Sequence, residues 1–117
     1  AFAANDAVSF GSIINAYTQP FLLLYNHRKD RGYRMEAFAN AIRQSAAKPV
    51  CIGVIGEHKK ACARYMQRTT GIRAQAVERP KEWIQAQNVR HVLCAGNIKG
   101  EGRQFLEEMI EEARQNV

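Results

Sequence analysis

Long apolar runs are missing from this chain. The longest uninterrupted one covers residues 21–25, far short of the roughly 20 residues that span a bilayer. No N-terminal segment has the charged, apolar and small-residue order of a secretory signal. Together these absences predict no membrane partner and a cytoplasmic location. The chain starts at Ala1 rather than Met, which reads as a piece of a longer protein or a processed product.

Cysteine is scarce as well. Cys51, Cys62 and Cys94 form an odd, widely spaced set, which argues against a disulfide framework and against a zinc site and fits a reducing compartment. Each stands in an apolar stretch, where a thiol behaves as a small buried hydrophobe. Cys62, close to Lys59 and Lys60, is the one where a lowered pKa is worth testing. His27, His58 and His91 are scattered, and none has a metal-ligand partner nearby in sequence. Neither a metal nor a cofactor is expected. Nucleophile signatures such as G-x-S-x-G are also absent. Glu57 and His58 are adjacent at a helix start, where side chains diverge, so they make a poor acid–base pair.

What is present points to one small α/β domain. The chain has 117 residues, enough for a single core. Residues 6–28 carry apolar side chains at three- and four-residue steps and read as a helix, kinked or divided at Pro20. A second helix is predicted over 33–46, on the stripe Met35, Phe38, Ala41 and Ile42. From residue 48 the period changes. PVCIGVIG, IRAQAV and VRHVLCAG read as strands, and the first is apolar on both faces, as a parallel strand buried on both sides would be. Helices are predicted between them over 57–70, on the stripe Ala61, Cys62, Tyr65, Met66 and Thr69, and over 79–87. Gly71 stands at a left-handed cap, Pro80 in a first turn, and Trp83 is a core anchor. A last helix carries Phe105, Leu106, Met109, Ile110 and Ala113 on one stripe. The expected fold is a small three-stranded parallel, Rossmann-like sheet (48–117) with flanking helices and an N-terminal helical pair (1–47), forming one domain of a larger protein.

Glycine loops follow the first and third predicted strands. They would be neighbours if the first strand were central, and ligands of open parallel sheets sit at such carboxyl ends. Gly56, His58, Lys59, Gly96, Asn97, Lys99 and Gly100 are therefore candidate contacts for a small anion or nucleotide. Neither G-x-x-x-x-G-K-[ST] nor G-x-G-x-x-G is present. Glu57 and Glu101 would also place a carboxylate at each helix start, where it repels a phosphate.

The net charge is +6. Residues 57–103 hold ten Lys/Arg against four Asp/Glu, so the chain attracts an anionic partner through its middle. Lys60, Arg64 and Arg68 line up at four-residue steps, followed by Arg73. Arg28, Lys29, Arg31 and Arg34 form a second basic run, in which Tyr25 and Tyr33 could stack on bases. The leading expectation is a non-catalytic accessory domain that holds DNA or RNA backbone on these two patches. Two alternatives stay open: the ligand crevice at the glycine loops, and a protein-interaction module or homo-oligomer pairing the acidic last helix with the basic row. The strand, glycine turn, amphipathic helix ending in GI and second strand over 49–84 resemble accessory α/β domains of large relaxases and other mobile-element proteins. No functional residues carry over from that resemblance.

Overall fold

A computed structural model describes residues 2–4, 11, 14, 18–28 and 32–96. The predicted last helix, and with it Glu101, lies outside these residues. The elements in chain order are β1 (Phe2–Ala4), β2 (Phe21–His27), α1 (Gly32–Gln44), β3 (Ile52–Gly56), α2 (Lys59–Thr70), β4 (Ala74–Ala76), α3 (Pro80–Ala86) and β5 (His91–Gly96). The strands form one parallel five-stranded sheet in the order β1-β5-β2-β3-β4.

The α/β class, the parallel sheet and the flanking helices are as expected. The main correction concerns FLLLYNH. These residues form the central strand β2, not a helix, and all seven are buried. A short apolar run fits a helix stripe as well as a doubly buried strand, because periodicity alone cannot separate the two. Pro20 stands immediately before the strand, outside any helix. The supposed helical segment over 1–47 therefore supplies two strands of the sheet.

Alternation along β2 divides the core. Phe21, Leu23 and Tyr25 point to one face, where Phe38 and Ile42 of α1 and Cys62, Ala63 and Met66 of α2 meet them, together with buried Ile14. Leu22 and Leu24 point to the other face and pack with Trp83 of α3. The chain steps from β2 to β3 to β4 with its helices on the first face. It then returns across the sheet to β5 with α3 on the opposite face, as crossovers of one hand require.

Helix ends are secured locally. Gly71 takes the predicted left-handed cap with φ 75°, and its N–H donates to Gln67 O. At the end of α1, Lys48 Nζ donates to Ile42 O at 2.5 Å and Arg43 O at 2.7 Å, and Ser45 Oγ donates to Ile42 O at 2.7 Å. A cation there suits the negative helix end. On α2, Ala63 rather than Ala61 completes the buried stripe.

Gly53 shows how closely α3 approaches the sheet. A Cβ on Gly53 would lie 2.8 Å from Trp83 Cη2 and 3.0 Å from Val77 Cγ2. The ring is buried and cannot swing away. Gly53→Ala is expected to destabilise the domain by about 1–3 kcal/mol, read from urea unfolding. A variant as stable as the wild type would show that the α3 layer yields without cost.

Candidate functional site

The strand order reverses at β2. From β2 the chain moves to β3 on one side, and β5 returns to pair on the other. The carboxyl ends of β2, β3 and β5 flank this switch, the usual place for a ligand in an open parallel sheet. The glycine loops after β3 and β5 would be neighbours only if β3, the first predicted strand, were central. The structure instead sets β2 between them, with His27 paired to Gly56 and Asn26 to Gly96.

Both glycines are required there. Gly56 has φ 94° and Gly96 has φ 93°, a region that side chains rarely enter. A Cβ on Gly56 would strike Asn26 Oδ1 and the His27 carbonyl. A Cβ on Gly96 would lie 2.5 Å from Asn26 O and 3.0 Å from Tyr25 Cε1. Both glycines, each the last residue of its strand, sit tightly against the end of β2.

His27, which the sequence left without a role, holds this end together. Glu57 N–H donates to His27 O at 3.0 Å, and His27 Nδ1–H donates to Glu57 O at 2.7 Å. This double clamp ties β2 to the turn that launches α2. His27 is 7% exposed, and its Nε2 is buried without a hydrogen-bond partner among the described residues. Such an atom carries the full desolvation cost of a polar group left unmatched. The clamp joins residues 30 apart in sequence, and no local signal could have shown it.

The turn also changes the electrostatics of the α2 start. Glu57 precedes the helix and is not part of its first turn, which holds no acid. His58 is the left-handed N-cap, φ 53°, makes no side-chain cap bond and is exposed. Lys59 is half-buried, and its Nζ lies 3.1 Å from Glu78 Oε2. Asn97, Lys99 and Gly100 lie outside the described residues, as do Lys29 and Arg31.

The basic residues fall into two places. Arg28 directly follows β2, and Arg34 is half-buried on α1, so their run is a strand-to-helix connection rather than a turn between helices. Tyr25 is 2% exposed and packs edge-on against Phe38, with ring centroids 5.2 Å apart. It cannot stack on a base. Lys60, Arg64 and Arg68 are exposed on α2, and Arg73 is exposed just before β4.

Burial decides the state of the thiols. It pushes Cys62 up to about 12 and Cys94 up to about 11, and it raises Cys51 against a small opposing effect of Arg73. The lowered pKa considered for Cys62 is thus reversed, because the side chain turns into the core, away from the helix face that carries Lys60. Among the described residues there is no group of three or more metal-binding side chains, and no helix is long and apolar enough to cross a membrane.

Comparison with known families gives a match over residues 1–112 to the poly-gamma-glutamate synthase CapB C-terminal domain. The chain belongs to this family. A search of curated proteins returns no match. The family overturns the expected nucleic-acid function, and it takes the place of the resemblance to relaxase accessory domains. The chain is a domain of a synthase rather than a nucleic-acid-binding module.

Cys62 makes a pH prediction. An unfolded thiol ionises near 9.0 and the folded one near 12, so the folded state holds its proton more tightly between those values. Stability from this group is complete below pH 9 and is lost as pH rises towards 12. Urea midpoints measured from pH 8 to 11 are expected to fall more steeply for the wild type than for Cys62→Ala. Parallel curves would show that the thiol is not shielded.

Proposed function

We propose that this domain handles the anionic substrate of the synthase, presenting the carboxyl ends of β2, β3 and β5 to a glutamyl chain while bond formation rests on groups elsewhere in the enzyme. Poly-γ-glutamate joins each γ-carboxyl to the next α-amine and leaves one free α-carboxylate per unit. Its synthesis therefore requires a surface that holds a flexible polyanion and fixes its end.

The observation that carries this reading is the reversal of strand order at β2, bounded by two glycines packed tightly against its end and clamped by His27. Rigid backbone at a strand end suits positioning, since a small displacement of a reacting group costs much of the rate. The acid-free first turn of α2 adds a favourable field for a carboxylate at the same end of the sheet. The non-catalytic part of the reading is supported by the thiols, which burial keeps protonated and unreactive near neutral pH.

Hydrogen exchange on the full-length synthase tests this. Adding oligo-γ-glutamate is expected to slow exchange several-fold at His27, Arg28 and the turn from Gly56 to Lys59. Protection confined to other domains, with these amides unchanged, would overturn the strand-end site.

A further inference from the structure

The helix α2 carries Lys59, Lys60, Arg64 and Arg68 and no acid. The other described helices each contain a glutamate, Glu36 in α1 and Glu82 in α3. Cys62, Ala63 and Met66 bury the opposite side of α2 in the core. Lys60, Arg64 and Arg68 are exposed, and none has an ion-pair partner among the described residues. Cations four residues apart repel one another, and Lys60 also sits at the helix end that disfavours positive charge. Nothing within the described fold compensates this row, although Glu78 does compensate neighbouring Lys59.

The geometry points to a track on α2 that grips the poly-γ-glutamate chain itself through its α-carboxylates; this inference rests on the proposed substrate role. The row starts at the carboxyl end of the sheet, where the clamped turn lies, and runs away from it along the helix. A chain end held at the strand ends would thus have its next units laid over Lys60, then Arg64, then Arg68. The spacing suits the polymer. Residues four apart on a helix advance by about 6 Å. A γ-linked unit has two more backbone bonds than an α-linked one and extends to about 6 Å per repeat. One carboxylate per cation follows, with the long side chains taking up lateral differences. Arg73, exposed beyond the Gly71 cap, offers a further contact at the far end.

The test is binding of labelled poly-γ-glutamate to the full-length synthase, for the wild type, for Lys60→Gln/Arg64→Gln/Arg68→Gln and for the charge-keeping Lys60→Arg/Arg64→Lys/Arg68→Lys. The neutral variant is expected to bind about tenfold more weakly at low salt, each exposed ion contact being worth a factor of a few, and to lose much of the salt dependence. The charge-keeping variant is expected to bind nearly as the wild type. Removing mutual repulsion should leave thermal unfolding of the neutral variant no earlier than that of the wild type, so weak binding would not reflect misfolding. Unchanged affinity in the neutral variant overturns the track. Self-association that disappears in the neutral variant while polymer affinity is unchanged also overturns it, and assigns the face to a second copy. Protection at Gly56–Lys59 with unchanged affinity leaves the substrate role standing without the track. Lost affinity without that protection leaves the track without the strand-end site.

Discussion

Everything in this domain depends on one strand being buried on both faces. β2 has no side open to water: α1 and α2 cover one face, α3 covers the other, and β3 and β5 take its backbone groups on either edge. A parallel strand in that position must be apolar at every residue, because neither face can tolerate an uncompensated polar group. Polar side chains enter only at Asn26 and His27, the last two positions, where the strand leaves the core. Burial and the site are therefore consequences of the same placement.

That placement also explains why the ends of the neighbouring strands are so constrained. With β2 central, the last residues of β3 and β5 both lie close to its own last residues, leaving no room for a Cβ on Gly56 or Gly96. The His27–Glu57 clamp fixes the turn after β3 and thus the origin of α2. The cations of α2 inherit their position from it, so the charged helix face and the strand ends belong to one rigid arrangement.

The sequence made part of this legible. β3, β4, β5 and the helices between them could be read because their period, glycine caps and Pro80 agree with each other. Trp83 was readable as an anchor because a lone large ring on a short helix has few other uses. β2 was misread because FLLLYNH lacks the polar alternation that marks a half-buried strand and is short enough to mimic a helix stripe. His27 and Asn26 could not be found, since their partners are distant in sequence. The charge pattern led to nucleic acid because net charge says nothing about which partner a surface meets, and the family match corrects that reading.

Among the described residues the sheet ends in short strands on both sides. β1 and β4 are each three residues long, so each outer edge offers a neighbouring chain only a few backbone groups to register on. An added strand would gain little pairing energy for the order it gives up. Joining this domain to the rest of the synthase by continuing its sheet is therefore a poor option. A neighbour resting on this domain would gain more from side chains on its helix faces and strand-end turns, which can be met without opening the sheet.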